Sequence, residues 1–276
     1  MAIRFKKQSG LVAYITCGDP DLATSCEVAL AAIGAGADVI ELGVPFSDPV
    51  ADGPVIQRAS ERALKQGTTL EGVLGVARQI REKADAGLII FSYLNPILQF
   101  EGLPTHRIHG GEVENRGLNR FCSAAAKAGV DGVLVTDLPV EEAGDYLRAM
   151  REHKLAPVFL AAPTSTDERL RTIAKCSRGF VYAISRTGIT GARQELASDA
   201  RTLVARLRAY TKLPIAVGFG VSTPEQFAEV CTFADAAVVG SAIVQCVERN
   251  LGREAAAVAE LLRSLTGTMQ RAGADS

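Results

Sequence analysis

Short apolar segments alternate with longer amphipathic segments along nearly all of the 276-residue chain. The apolar segments are four to six residues long and nearly continuous in hydrophobicity, which is typical of strands buried on both faces of a parallel sheet. We therefore predict eight strands: Leu11–Thr16, Val39–Leu42, Leu88–Ser92, Gly132–Thr136, Pro157–Ala161, Phe180–Ile184, Pro214–Val217 and Ala236–Val239.

Helices are predicted between the strands, because apolar residues recur there with helical spacing. One of them opens at Thr69 with a start that resembles a capping box, and Gly36 and Gly129 follow two others as C-caps. The predicted helices are Asp21–Gly36, Thr69–Lys83, Leu118–Ala128, Val140–His153, Thr166–Cys176, Leu196–Tyr210, Thr223–Cys231, Ala242–Asn250 and Glu254–Met269.

Eight strand–helix units in one chain predict a closed (β/α)8 barrel, the TIM barrel. The alternative is an open doubly wound sheet, but no G-x-G-x-x-G follows the first strand. No linker or shift in composition divides residues 1–276, so we predict a single domain. It carries a long polar loop at about residues 101–117 and a frayed tail at about residues 271–276.

Composition excludes several classes of protein. The hydrophobic fraction of 47% and the charged fraction of 22% are those of a globular protein, which excludes general disorder. Thirty basic residues balance 31 acidic ones, so no nucleic-acid partner is expected. The chain has no apolar run long enough to cross a membrane and no signal peptide, so we expect a cytoplasmic enzyme.

A metal site is not expected. The six cysteines form no C-x-x-C pair, and reduced, buried, structural thiols are the simplest interpretation. His106, His109 and Glu112 lie together in the polar loop, where flanking glycines leave them without a regular element to hold them.

Candidate acidic residues follow the second predicted strand. Glu41 lies inside an apolar strand, where burial would raise its pKa toward neutrality and allow proton transfer; a purely structural glutamate is the alternative. The proline-rich segment from Val44 to Pro54 is predicted to be a stiff loop that holds Asp48 or Asp52 over the barrel mouth, although either could simply cap a turn.

Glycine turns at the last two strands predict a phosphate site. Gly218-Phe219-Gly220 follows the seventh strand, and Gly240-Ser241 opens a helix after the eighth. Backbone N–H groups in such turns, together with a helix N-terminus, bind anions, and this fold commonly binds phosphate there. The segment from Ser185 to Ala192 has the composition of a closing loop.

Several motifs together resemble one family. They are the first strand with Gly18-Asp19-Pro20, then GADVIELGVPFSDPVADGPVIQRAS, GVLVTDLP, SRTGITG, GFGVSTPEQ and GSAIV. On these motifs, which extend from about residue 8 to 265, the chain resembles the tryptophan synthase alpha chain.

The resemblance implies a lyase of tryptophan biosynthesis that cleaves indole-3-glycerol phosphate to indole and glyceraldehyde 3-phosphate in a retro-aldol reaction. It implies no metal and no organic cofactor. It also implies a beta chain as partner, in an α2β2 heterotetramer. Three alternatives stay open: a lyase that works alone and releases free indole, a non-catalytic regulatory subunit, and a different phosphosugar or indole-pathway barrel such as phosphoribosylanthranilate isomerase.

The resemblance also implies roles for individual residues. Glu41 and Asp52 match the two catalytic residues, the first a proton donor to indole C3 and the second a partner of the indole N–H. Tyr182 lies beside the glutamate, and Thr190 orients the aspartate from the closing loop. The implied phosphate site comprises Gly191, Gly218, Phe219, Gly220, Gly240 and Ser241, and the implied indole slot is lined by Tyr14, Phe91, Tyr93, Leu134 and Leu160.

Two features depart from the family pattern. Tyr14 stands where phenylalanine is common, and the loop at residues 101–117 looks like an insertion near the face on which the family binds its beta chain.

Overall fold

Parallel strands form the centre of the molecule in a computed structural model that describes residues 3–5, 9–101, 116–184, 193–218 and 220–272. Every pairing between neighbouring strands is parallel. The strands in the described part of the chain are β1 Gly10–Thr16, β2 Val39–Gly43, β3 Gly87–Ser92, β4 Gly132–Val135, β5 Ala156–Val158, β6 Leu160–Ala161, β7 Val181–Ile184, β8 Ile215–Gly218 and β9 Ala236–Val239.

Helices connect these strands and cover the sheet. In the same described residues they are α1 Leu22–Gly34, α2 Pro54–Lys65, α3 Leu70–Lys83, α4 Leu94–Leu98, α5 Arg116–Lys127, α6 Gly144–Glu152, α7 Asp167–Cys176, α8 Arg193–Arg208, α9 Pro224–Cys231, α10 Ser241–Arg249 and α11 Glu254–Ala272. A 3-10 helix, Val140–Glu142, precedes α6.

The sheet closes on itself. Its strand order is β5-β4-β3-β2-β1-β9-β8-β7-β6, and the two ends of this order, β5 and β6, are separated in the chain by Phe159 alone. They are two halves of one interrupted strand, so eight strand positions surround a central axis. The predicted (β/α)8 barrel is confirmed, and the open doubly wound alternative is wrong.

Alternation along each strand separates an inner from an outer layer. In β2, Val39 packs with the side chains inside the barrel, whereas Ile40 and Leu42 pack in the larger layer between sheet and helices. In β1, Val12 likewise faces inward and Ala13 faces outward. This alternation sets the direction of every site residue that a strand carries.

Local signals in the sequence explain where several helices begin and end. The Thr69 side chain accepts a hydrogen bond from the Gly72 N–H and caps the start of α3, but Gly72 has no side chain to complete the capping box that the sequence suggested. Thr223 and Gln226 form a complete capping box at α9. Gly36 and Gly129 follow α1 and α5 with φ of 106° and 81°, so both predicted C-caps are confirmed.

The structure differs from the prediction at four elements. Helices α2 and α4 were not predicted; α2 begins at Pro54, directly after the proline-rich loop, and α4 is Leu94–Leu98. The fifth strand is interrupted at Phe159 rather than continuous, and the helix predicted over Val140–His153 is a 3-10 turn followed by α6.

Two predicted features fall mostly outside the described residues. Of the long polar loop, residues 102–115 lie outside, and of the predicted frayed tail only Arg271 and Ala272 are described, at the end of α11. The single domain over residues 1–276 therefore stays a prediction. No helix in the described part of the chain is both long enough and apolar enough to span a membrane.

Candidate active site

Glu41 lies inside the barrel. It is two residues after the inward-facing Val39 on β2, and its side chain is fully buried. In the parallel register it pairs with Tyr14 on β1 and with Ile89 on β3. A carboxyl group in this position has almost no access to water.

Burial dominates the chemistry of Glu41. Neither carboxyl oxygen has a hydrogen-bond partner among the described residues. The loss of hydration disfavours the charged form and raises the pKa of Glu41 to about 8. The group is therefore mostly protonated at neutral pH and close to the condition in which it can both donate and accept a proton.

Asp52 is held over the barrel mouth by a short, internally bonded loop. The Asp52 N–H donates to the Pro49 carbonyl at 3.0 Å, and the Ala51 N–H donates to the Tyr93 hydroxyl oxygen at 2.9 Å. The side-chain amide of Gln57, in the first turn of α2, donates to the Asp52 carbonyl at 2.9 Å. The loop is thus fixed to the end of β3 on one side and to α2 on the other.

The Asp52 carboxyl is half-buried, in contrast to the exposed Asp48 four residues earlier. Burial raises the pKa of Asp52 to about 6, and the neighbouring Tyr93 hydroxyl opposes that change. Asp52 is thus ionised, and Glu41 mostly protonated, near pH 7. Because the two pKa values differ, one carboxyl group can donate a proton while the other stabilises a positive charge.

Aromatic side chains lie near both acidic groups. Tyr14 and Phe91 meet edge to face with ring centroids 5.1 Å apart, and Phe46 packs on Tyr93 at 5.0 Å. Burial raises the pKa of Tyr14 well above its usual value, and the negative charge of Asp52 raises it further, with a smaller effect from Glu41. Tyr14 therefore lies within electrostatic reach of both acids.

Three residues predicted for the indole slot, Phe91, Leu134 and Leu160, belong to or pack against the inner layer of the barrel. So does Tyr182, which was predicted to lie beside the glutamate. Burial raises the pKa of Tyr182 well above its usual value, and the Glu41 charge raises it further. The structure therefore brings these predicted residues together in the inner layer of the barrel.

The two glycine turns are neighbours. Strands β8 and β9 pair in parallel, so Gly218 and Gly240 leave the sheet at the same edge. Gly240 is the N-cap of α10 and Ser241 its first residue, which is exposed. A Cβ on Gly240 would lie 3.6 Å from the Tyr14 side chain, so this helix N-terminus opens beside the aromatic slot.

Close packing also fixes Gly218. A Cβ at this position would lie 2.7 Å from the Tyr182 hydroxyl oxygen, which leaves no room for a side chain. Gly220 has φ of 85°, a conformation that favours glycine. Gly218 and Gly220 therefore carry no side chain that would cover their backbone N–H groups.

Three predicted site residues, Thr190, Gly191 and Phe219, lie outside the described residues. The same holds for His106, His109 and Glu112. Across the described ranges, no cluster of three or more His, Cys, Asp or Glu side chains could hold a metal ion.

The sequence did not reveal the contacts of two residues on α2, the helix that follows the Asp52 loop. Gln57 holds the loop carbonyl from α2, and Arg62, further along the same helix, forms ion pairs with Asp19 and Glu248. A signal was available for the helix, since proline at the first position and a basic last turn are both typical of helices. The partners of Arg62 are far away in sequence, so no local pattern indicates these ion pairs.

Comparison with known proteins agrees with this geometry. The family model for the tryptophan synthase alpha chain matches residues 1–273. A tryptophan synthase alpha chain from Solibacter usitatus is 48% identical over 269 residues, which cover 98% of this chain and 94% of that protein. One from Geobacter sulfurreducens is 45% identical, with 96% of each chain covered.

Solved structures give the same result. The alpha subunit of tryptophan synthase from Legionella pneumophila superposes with a TM-score of 0.82 at 34% identity, covering 95% of this chain and 93% of that one. A mutant alpha subunit from Pyrococcus furiosus superposes with a TM-score of 0.83 at 35% identity, covering 96% and 100%. A tryptophan synthase from M. tuberculosis in an aminoacrylate-bound form gives 0.79 at 35% identity, covering 93% of each chain.

Proposed function

Since the chain belongs to the tryptophan synthase alpha chain family, we propose that Glu41 and Asp52 are the residues with which it performs the family's reaction. The reaction is the retro-aldol cleavage of indole-3-glycerol phosphate to indole and glyceraldehyde 3-phosphate, in tryptophan biosynthesis. The observation that carries the residue assignment is the fully buried Glu41 carboxyl, which faces the barrel interior without a hydrogen-bond partner among the described residues.

Protonation of the indole ring is the first requirement. The bond to be broken joins indole C3 to the glyceryl chain, and the ring accepts its electrons only after C3 has received a proton. Glu41, protonated near neutral pH, is the proton donor. The resulting cation is delocalised onto the ring nitrogen, where the Asp52 carboxylate accepts a hydrogen bond from N–H and stabilises the charge.

Bond cleavage then restores both the ring and the enzyme. The glyceryl hydroxyl loses its proton to the Glu41 carboxylate, a carbonyl forms, and the electron pair of the C–C bond returns to the indole ring. The products are neutral indole and the aldehyde. Glu41 has donated one proton and taken one back, so it is ready for the next substrate.

The two ends of the substrate are held separately. We propose that the aromatic slot holds the indole ring, and that the backbone N–H groups at Gly218, Gly220 and Gly240 with the N-terminus of α10 hold the phosphate. Phe219, Thr190 and Gly191 are proposed to complete the site. Fixing both ends places the scissile bond between the two acids, so that binding energy is used for orientation.

As a member of this family, the chain works with a tryptophan synthase beta chain. We propose the α2β2 assembly that the sequence implied.

A cytoplasmic location is proposed as well, supported by the family's biosynthetic role and by six cysteines that are all free, three of them buried.

Substitution of each acid tests the assignment. The Glu41→Gln variant removes the proton donor with little change in volume, so indole release is expected to fall by about 1,000-fold or more while phosphate-ligand binding persists. The Asp52→Asn variant is expected to lose most turnover. The matched control is Asp48→Asn in the same loop, which should release indole at nearly the wild-type rate when the isolated chain is assayed.

The opposite pattern would reverse the assignment. Wild-type turnover in Glu41→Gln would exclude Glu41 as the acid. Loss of turnover in Asp48→Asn with retention in Asp52→Asn would exchange the two aspartates. A wild-type chain that binds ligand and stimulates the beta chain, but releases no indole, would favour a non-catalytic regulatory subunit. Full activity without any effect of added beta chain would favour a lyase that works alone.

A further inference from the structure

One guanidinium group joins three elements beside the site. Arg62 lies near the end of α2, and its Nε and Nη2 donate to the two carboxylate oxygens of Asp19 at 2.8 and 2.7 Å. Its Nη1 donates to Oε1 of Glu248, on α10, at 2.8 Å. Asp19 follows β1 in the connection to α1, so Arg62 ties α2 both to the barrel and to α10.

The strength of this contact comes from its geometry. Asp19 is only 6% exposed, and a two-pronged arginine–carboxylate pair is both strong and directional. Arg58, one turn earlier on α2, also bonds Glu248, at 3.2 and 3.1 Å, but its side chain is about half exposed and contributes less. Arg62 therefore makes the stronger ionic contacts of the two arginines on this helix.

The other end of α2 carries the Asp52 loop. The helix begins at Pro54, two residues after Asp52, and the Gln57 amide donates to the carbonyl oxygens of Asp52 and Pro49 at 2.9 and 3.4 Å. A helix moves as a stiff rod, so any shift of α2 is passed to the loop. The end of α10 opposite Glu248 is Ser241, in the proposed phosphate site.

We propose that Arg62 is a positioning residue: by fixing α2 to α10 and to the β1–α1 connection, it sets the distance between Asp52 and the phosphate-binding turns. This inference rests on the proposed roles of Asp52 and Ser241. A substrate held at both ends requires that distance to be constant, because a shift of the acid by about 1 Å reduces turnover by up to about 100-fold.

The Arg62→Lys variant tests the proposal. It keeps the positive charge near Asp19 but loses the two-pronged contact and the simultaneous bond to Glu248. We expect kcat for indole release to fall by about 10- to 100-fold, with KM and the inhibition constant of glyceraldehyde 3-phosphate within about twofold of wild type. A lower kcat at unchanged KM indicates loss of positioning, whereas a higher KM would indicate loss of binding.

A matched control exists at the other end of the barrel. Arg81 donates to Asp131 at 2.6 Å and to the Gly129 carbonyl at 3.0 Å, beside the N-terminal end of β4. Arg81→Lys damages a comparable buried pair away from the site, so its kcat should stay within about twofold of wild type. If Arg81→Lys lowers kcat as much as Arg62→Lys does, the effect is general loss of structure and the proposal is wrong.

A second variant covers the case in which Arg62→Lys does not fold. Glu248→Gln keeps the Arg62–Asp19 pair and weakens only the link to α10, so kcat is expected to fall by about three- to tenfold at unchanged KM. If Arg62→Lys folds and its kcat is unchanged, Arg62 is not a positioning residue. If only Glu248→Gln folds, an unchanged kcat in that variant leads to the same conclusion. Asp52→Asn, assayed in parallel, tests the proposed function itself: its retention of wild-type turnover would remove the premise, whatever Arg62 does.

Discussion

Glu41 and Tyr14 are paired residues on neighbouring strands, and both point into the barrel. Tyr14 contributes a ring and a buried hydroxyl, and Glu41 contributes a carboxyl whose pKa burial raises to about 8. The raised pKa of Glu41 follows from ordinary strand geometry. Alternation along β2 directs the side chain inward, and the aromatic side chains there exclude water.

The stability of the protein should depend on pH through Glu41. A carboxyl whose pKa rises from 4.5 in the unfolded chain to about 8 in the folded one binds more protons when folded. Burial of Glu41 does not lower the free energy of unfolding below pH 4.5. As pH rises from there toward about 8, burial lowers the free energy of unfolding by about 1.4 kcal/mol for each pH unit. Glu41→Gln should therefore be more stable than wild type at alkaline pH.

Urea unfolding of both proteins measures this difference. The gain in unfolding free energy of Glu41→Gln should be small at about pH 5 and should reach a few kcal/mol at about pH 8.5. A difference that is constant across this range would show that Glu41 titrates normally in the folded protein.

Gly43 should not tolerate a side chain. A Cβ at this position would overlap the ring and hydroxyl of Tyr14, which packs against the end of β2. Gly43→Ala is expected to destabilise the protein by about 1–3 kcal/mol and to lower turnover, because Tyr14 must move. Gly75→Ala is the control, since nothing lies within 4 Å of its Cβ, and in mid-helix it should stabilise by about 0.5–1 kcal/mol. Equal unfolding free energies for the two variants would contradict the packing described.

A side chain at Gly218 should disturb the phosphate end of the site. The new Cβ would lie 2.7 Å from the Tyr182 hydroxyl oxygen, so Gly218→Ala should raise KM and the inhibition constant of glyceraldehyde 3-phosphate by about tenfold. Removing that hydroxyl in the Gly218→Ala/Tyr182→Phe double variant relieves the overlap and should recover part of the affinity. If the double variant binds no better than Gly218→Ala, the contact with Tyr182 is not the cause.

The strands were predictable because their physical signal is local. Segments such as Val39–Gly43 are buried on both faces, so their sequences are almost continuously apolar. The single polar residue within that segment, Glu41, stood out for the same reason. Interruption of the fifth strand at Phe159 was not predictable, since the sequence there is as apolar as in the other strands.

Helix α2 was missed because it buries small side chains. Its buried residues are Ala59, Ser60 and Ala63, so it lacks the stripe of large apolar residues by which the other helices were recognised. The contacts of Arg62 could not be predicted from the sequence, for another reason. Asp19 and Glu248 are 43 and 186 residues away from it in the chain, and only the closed barrel brings them together.

We infer that a protonated Glu41 and an ionised Asp52 act together, and the pH dependence of kcat/KM is the measurement that decides whether they do. We expect a bell-shaped profile: kcat/KM rises as pH passes about 6, where Asp52 loses its proton, and falls beyond about 8, where Glu41 loses its own. The rising limb should be absent from the residual activity of Asp52→Asn. Activity that continues to increase above pH 8, or a rising limb that persists in Asp52→Asn, would contradict the account.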